Sequence, residues 1–230
     1  MVIIPVLIII VTALAPAFIW LIFFLREDEH PEPTSLLIKT FFMGMLASVP
    51  TLMLQILIQK IFPEPEVAYA TTVFLFAATE ELFKFLGTYV IVNNNPNFDE
   101  PVDGMMYMVM AGLGFATVEN IFIIGSLVGL SGTGGLLGAS QALFLRLVGA
   151  TLLHVLASAI IGYYWSKGIL KNNKWHFILI GLVIATLVHG AFNYLVRGFQ
   201  DINIFFPTIF LVGVSFFIFS DFEKLKDVRP

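Results

Sequence analysis

Seven apolar stretches, each about long enough to cross a bilayer, constrain the fold of this chain more than any other feature. A membrane-spanning helix needs about 20 consecutive apolar residues. Of the 230 residues, 58% are hydrophobic and only 12% are charged, a composition far from that of soluble domains. The sequence therefore predicts an all-α, polytopic transmembrane helix bundle. The predicted spans are 2–25, 36–62, 67–92, 103–130, 139–165, 176–196 and 203–220.

Short connections rich in Pro, Gly and Asn separate these spans, so we expect one integral-membrane domain over residues 1–230 without a separate soluble domain. With seven spans, most Lys and Arg residues fall on the side of the C-terminus, which predicts an outer N-terminus and a cytoplasmic C-terminus. The acidic loop 93–101 conflicts with this orientation. An eighth span or a re-entrant segment would change the parity of the spans and with it the predicted topology.

The third span carries three charged residues, Glu80, Glu81 and Lys84, near its middle. Each charge at the centre of a bilayer costs roughly 2.5 to 3.5 kcal/mol, so the three together cost about 9 kcal/mol. Lys84 follows Glu80 by four residues, the favourable order for a helical ion pair, and is interpreted as a structural counter-ion. It cannot serve both glutamates, because they differ by about 100° around the helix. A functional role for these carboxylates is therefore expected.

Later spans add further polar residues. These are Glu119 in the fourth span, His154 in the fifth, and His189 and Asn193 in the sixth. At about 1.5 Å of rise per residue, Glu80 and these three titratable residues lie roughly 10 to 22 Å from the predicted outer ends of their helices. Gly112 and Gly114 precede Glu119 and predict close approach of another helix to the fourth span. We therefore expect one shared site. Asp103, at the start of the fourth span, is interpreted as an N-cap.

In this order, the polar residues resemble the motifs of the PrsW family of intramembrane proteases. The family is related to the type II CAAX prenyl endopeptidases and to the APH subunit of gamma-secretase. The resemblance covers residues 67–196, which we interpret as the catalytic core. The motifs are Glu80-Glu81-x-x-Lys84, Asp103-Gly104-x-x-Tyr107, Gly112-x-Gly114-Phe115-x-x-x-Glu119-Asn120, His154 and His189-x-x-x-Asn193.

The resemblance implies a prokaryotic integral membrane endopeptidase that hydrolyses a peptide bond in or near the bilayer. Its substrate would be a membrane-anchored protein, such as an anti-sigma factor. In the CAAX relatives a histidine usually occupies the place of Glu119, so their mechanism does not transfer directly.

Peptide hydrolysis needs an activated water, a stabilised oxyanion and a proton for the leaving amine. We hypothesise that Glu80 is the general base and that Glu119 shares its water or proton. His189 and Asn193 would donate hydrogen bonds to the oxyanion, while His154 orients the water or acts as the acid. The predicted catalytic group is Glu80, Glu81, Glu119, His154, His189 and Asn193.

This glutamate-type mechanism needs no cofactor. The same side chains also permit a zinc site made of Glu80, Glu119, His154 and His189. The sequence lacks a His-x-x-x-His or His-Glu-x-x-His pair, which favours the metal-free version. Cysteine is absent, so no thiolate can act as nucleophile or ligand.

Two other classes of function remain open at this stage. Buried Glu and His residues also form proton relays, so a proton- or cation-coupled transporter is one alternative. A non-catalytic membrane scaffold, in which polar side chains only join helices, is the other. A net charge of −4 without a basic run argues against nucleic acid as a partner, so the expected partners are a membrane-anchored protein and the lipid bilayer.

Overall fold

The computed structural model of the chain describes residues 3–26, 31–63, 65–131, 149–198 and 205–226. Those residues form seven α-helices and no strand, which confirms the predicted all-α class. The helices are α1 (Ile3–Leu25), α2 (Thr34–Ile61), α3 (Pro65–Val92), α4 (Asp103–Ser131), α5 (Thr151–Leu170), α6 (Lys174–Gly198) and α7 (Phe205–Lys226).

Four helices, α2, α4, α6 and α7, combine the length and the apolar composition that crossing a membrane requires. α3 has the length, but Glu80, Glu81 and Lys84 interrupt its apolar character. These features establish a polytopic helical membrane protein. Part of the predicted fifth span, residues 139–148, lies outside the described part of the chain. The same holds for residues 2, 203 and 204 of the first and last predicted spans.

Two helices continue past the ends of the predicted spans. The fifth continues to Leu170 instead of residue 165, and the last continues to Lys226 instead of residue 220. At the end of α7, ion pairs with i,i+3 spacing join Asp221 to Lys224 at 2.7 Å and Glu223 to Lys226 at 2.8 Å. Such pairs support the last turns of a helix, where an apolar pattern no longer marks it.

The central helix of the bundle is α4, which packs against α1, α2, α3 and α5. Of its most apolar stretch, 67% is buried, compared with 22% for α2 and for α7. A helix that is apolar on all sides is suited to this central position. The polar residues of α4 therefore face other helices rather than lipid over most of its length.

Glycines allow the neighbours of α4 to approach closely, as expected for Gly112 and Gly114. A Cβ atom on Gly112 would lie 2.8 Å from the carbonyl oxygen of His154 on α5 and 2.8 Å from Ser158 Oγ. One on Gly114 would collide with the backbone of Phe41 on α2. Small residues at helix crossings are the usual means of close packing in membranes. The contact at Gly112 brings α5, and with it His154, against α4.

At the other end of α4, Asp103 has a role different from the predicted N-cap. Its Oδ2 atom accepts hydrogen bonds from the backbone N–H groups of Asp99 and Glu100, at 2.9 and 2.7 Å. These residues precede the helix, so Asp103 closes the loop between α3 and α4. Next to it, the buried Tyr107 hydroxyl donates to a carboxylate oxygen of Glu32, which ties the segment before α2 to α4.

Candidate active site

Four helices each contribute to one cluster of titratable side chains inside the bundle. Its members are Glu80, Glu81 and Lys84 on α3, Glu119 on α4, His154 on α5 and His189 on α6. All are buried except Glu119, whose side chain is 32% exposed. The structure thus brings together the titratable residues that the sequence predicts to share a site.

Glu81 has the shortest ion-pair contacts of the cluster, all of them through one oxygen, while its Oε2 atom is buried without a hydrogen-bond partner among the described residues. Its Oε1 atom lies 2.5 Å from Lys84 Nζ and 2.6 Å from His189 Nδ1, and all three side chains are almost inaccessible. Lys84 therefore pairs with Glu81 at i,i+3, and the predicted i,i+4 pair with Glu80 is wrong. The ring of His189 can donate a proton from Nδ1 to Glu81, which leaves Nε2 with a free lone pair.

Among the described residues, no Lys or Arg forms an ion pair with Glu80, and His189 is its one possible cationic neighbour within 4 Å. One oxygen, Oε1, accepts a hydrogen bond of 2.9 Å from Nε2 of Gln55 on α2. The other, Oε2, lies 3.4 Å from His189 Nε2 and is buried without a hydrogen-bond partner among the described residues. A buried carboxylate oxygen without a donor is costly unless another group binds it.

The second histidine links α5 to α4. His154 Nε2 lies 2.8 Å from Glu119 Oε2, and Nδ1 lies 3.4 Å from Lys84 Nζ. The rings of Phe115 and His189 pack against the imidazole, with centroid distances of 5.4 and 4.9 Å. Because both ring nitrogens have a polar neighbour and two aromatic rings pack against the imidazole, His154 has a defined orientation.

The cluster contains a set of donors suited to a metal ion. Glu80, His154 and His189 each offer one ligand atom, and these three atoms all lie within 4.8 Å of one another. Two imidazoles and one carboxylate are the ligands of many catalytic zinc sites, which keep a fourth position open. The unpartnered oxygen of Glu80 agrees with this interpretation, so the residues present fit the ion. Glu119 is connected to the set through His154.

Asn193 is separate from this network. It is half-buried on α6 and makes no side-chain hydrogen bond to any described residue. Both nitrogens of His189 lie against glutamates, at 2.6 and 3.4 Å, so this ring is poorly placed for the predicted role of oxyanion donor.

Gln55 was not among the predicted site residues. Its signal in the sequence is only an amide within an apolar span, which does not reveal its partner.

The fold and the site together define the class of this protein: a polytopic helical membrane protein with a buried carboxylate–histidine centre. The comparison with protein families makes the assignment specific. The family described as "PrsW family intramembrane metalloprotease" matches residues 32–220. Because this match spans most of the chain, the chain belongs to the PrsW family of intramembrane proteases, as its motifs predict.

Curated relatives agree with this assignment. A Protease PrsW from Clostridioides difficile strain 630 is 30% identical over 190 residues, covering 80% of this chain and 76% of the relative. One from Oceanobacillus iheyensis is 28% identical over 192 residues, covering 83% and 84%. One from Bacillus subtilis strain 168 is 26% identical over 232 residues, covering 96% and 97%. No solved structure matches the chain.

Proposed function

We propose that this chain is a metal-dependent intramembrane endopeptidase that hydrolyses a peptide bond of a membrane-anchored protein. The observation that carries the proposal is the set of three ligand atoms from Glu80, His154 and His189, all within 4.8 Å of one another. When bound there, a zinc ion supplies Lewis acidity, which activates water and polarises a carbonyl group. The family's description as a metalloprotease supports this version over the metal-free one.

Glu81 and Lys84 hold the donor set in place. Glu81 accepts from His189 Nδ1 and thereby directs Nε2 towards Glu80. A carboxylate that binds the outer nitrogen of a ligating histidine fixes its tautomer and increases its basicity. Lys84 neutralises Glu81, so that the two adjacent glutamates of α3 do not carry two uncompensated charges into the bundle.

Glu119 is the group we assign to proton transfer. Its carboxylate is the most exposed of the cluster, at 32%, and lies next to His154. A general base must reach the water that it deprotonates, and the same group can then pass the proton to the leaving amine. The buried position of the other carboxylates suits them for binding and orientation instead. Phe115, packed on His154, keeps bulk water from that side of the site.

A membrane-anchored protein is the proposed substrate because the site lies deep within the bundle. Glu80 is about 22 Å from the start of α3 and about 18 Å from its end, at about 1.5 Å per residue. A peptide bond must therefore enter the membrane region to be cut. By family resemblance, an anti-sigma factor is an example of such a substrate, and the proposed orientation has an outer N-terminus and a cytoplasmic C-terminus.

The experiment that tests this function uses purified protein in liposomes with a panel of single-span peptides. We expect new peptide termini, detected by mass spectrometry, with wild-type protein and with Glu223→Gln, a matched control at an exposed carboxylate of α7. Glu80→Gln and Glu119→Gln should abolish them. Cleavage by wild type that survives complete removal of metal would support the glutamate-type mechanism instead.

Two further results would support the other classes of function. Ion flux into the liposomes without cleavage would indicate a transporter. Loss of folded protein in Glu80→Gln and Glu119→Gln, with no turnover in wild type, would indicate a scaffold. Either result would refute the proposed peptidase.

A further inference from the structure

Gln55 stands out because it lies outside the motifs on α3 to α6 yet reaches the centre of the site. It belongs to α2, whose neighbouring residues Met53, Ile56 and Leu57 are exposed and apolar. The buried residues of α2 include Ala47, Thr51 and Ile58, and Gln55 falls on the same helical stripe. An amide in this setting is costly unless it forms a hydrogen bond within the bundle. Its partner is Glu80, at 2.9 Å.

The type of donor matters for Glu80. Glu81 is bound by a cation, Lys84, whereas Glu80 receives a hydrogen bond from the neutral amide of Gln55. A neutral donor holds one oxygen without cancelling the charge of the carboxylate. The charge of Glu80 thus remains available to a cation in the site.

The bond also determines which oxygen is available. Because Gln55 occupies Oε1, the remaining oxygen, Oε2, faces His189 and has no hydrogen-bond partner among the described residues. A carboxylate held on one side cannot turn freely about its last bond. The amide therefore reduces the conformational entropy that the Glu80 side chain loses when it binds a ligand.

From these contacts we propose that Gln55 is a positioning residue, which directs Oε2 of Glu80 towards His154 and His189. This role rests on the proposed function of the Glu80, His154 and His189 set. Outer-shell hydrogen bonds of this kind change metal affinity or activity by about 10- to 100-fold when they are removed. Gln55 thereby extends the functional site to α2.

The test replaces Gln55 with methionine, which has a similar length but no N–H donor. The matched control is Gln59→Met, because Gln59 lies one turn further along α2 and is exposed. Zinc affinity is measured by competition with a chelator, and kcat and KM are measured on a cleaved peptide. We expect Gln55→Met to weaken zinc binding by about 10- to 100-fold and to lower kcat more than it raises KM, with Gln59→Met unchanged.

A double-mutant comparison shows whether Gln55 acts through Glu80. In the Glu80→Gln background, the additional change Gln55→Met should leave the residual zinc affinity unaltered. An equal loss of zinc affinity in both backgrounds would overturn the proposal. A zinc affinity of Gln55→Met within about twofold of wild type would also overturn it, because that effect is well below the one expected for an outer-shell bond.

A spectroscopic measurement separates failure of this inference from failure of the proposed function. In protein labelled with ¹³C at the glutamate carboxyl groups, the Glu80 signal is identified by its absence in Glu80→Gln. It should shift in Gln55→Met but not in Gln59→Met, whether or not the protein binds zinc or cleaves peptides. An unshifted signal would refute the contact itself, whereas a shifted signal in an inactive, zinc-free wild type would refute only the proposed function.

Discussion

Replacing Lys84 with methionine tests the electrostatic design of the site most severely. The ammonium group is completely buried, 2.5 Å from Glu81 Oε1, 3.4 Å from His154 Nδ1 and 5.3 Å from the centroid of the Phe115 ring. Methionine keeps much of the packing volume but removes the charge and all three donors. Glu81 would then retain only its contact with His189.

The expected cost follows from this burial. Removing one partner of a buried ion pair costs about 3 to 5 kcal/mol, because the remaining charge is left uncompensated. Replacing Glu81 with leucine at the same time removes that orphan charge. The double variant should therefore be more stable than the sum of the two single changes by about 1 to 3 kcal/mol.

The assay is reversible unfolding of the purified protein in mixed micelles, with free energies compared among the variants. Lys224→Met is the matched control, because Lys224 forms a pair of the same i,i+3 spacing with Asp221 at an exposed position of α7. That control should not change stability measurably. If Lys84→Met cost less than about 1 kcal/mol, or if the two changes were additive, the buried pair would not stabilise the site as argued.

Two further predictions concern α4. Gly112→Ala should separate α4 from α5, because the new Cβ would lie 2.8 Å from the carbonyl oxygen of His154. We expect a loss of about 1 to 3 kcal/mol in unfolding free energy and reduced cleavage, while Gly125→Ala, with nothing within 4 Å, should behave as wild type. Equal behaviour of the two variants would contradict the close contact. Tyr107→Phe should cost about 1.5 to 3 kcal/mol by removing the donor to Glu32. This substitution should leave cleavage unchanged, because Tyr107 lies about 18 Å along α4 from Glu119. A large loss of turnover would contradict this and show that the two ends of α4 are coupled.

The sequence predicts the fold and most of the site because both depend on strong local signals. Apolar stretches of about 20 residues mark the spans. Intramembrane charges are so costly that Glu80 and Glu119 are recognisable as functional candidates without a structure. Their convergence is visible from helical depth alone, which is set by a constant rise per residue.

The details that the sequence does not reveal depend on side-chain direction and on tertiary contacts. Lys84 can reach either glutamate by helical spacing. In the structure its ammonium group binds Glu81, which also binds His189, and lies near His154, and these tertiary contacts are not visible in the spacing. Asp103 appears as an N-cap from its position, but the fold of the preceding loop makes it a partner of Asp99 and Glu100. Such choices depend on neighbours distant in sequence.

Gln55 shows the same limit. It is 25 residues from Glu80 in the chain, and nothing in the pattern of α2 connects the two. The choice between metal-dependent and glutamate-type hydrolysis also depends on tertiary geometry. Spacing motifs for zinc describe ligands on one helix, whereas here the three donors come from α3, α5 and α6.

The central claim is that Glu80, His154 and His189 hold a metal ion on which hydrolysis depends. The most direct measurement is a zinc titration of chelator-treated protein in liposomes, with bound zinc and cleavage recorded in the same samples. We predict that cleavage rises in proportion to bound zinc and saturates at about one ion per chain, the stoichiometry of a single three-ligand site. Full cleavage at zero bound zinc would contradict the claim. So would a His189→Asn variant that binds zinc to the same saturation level as wild type.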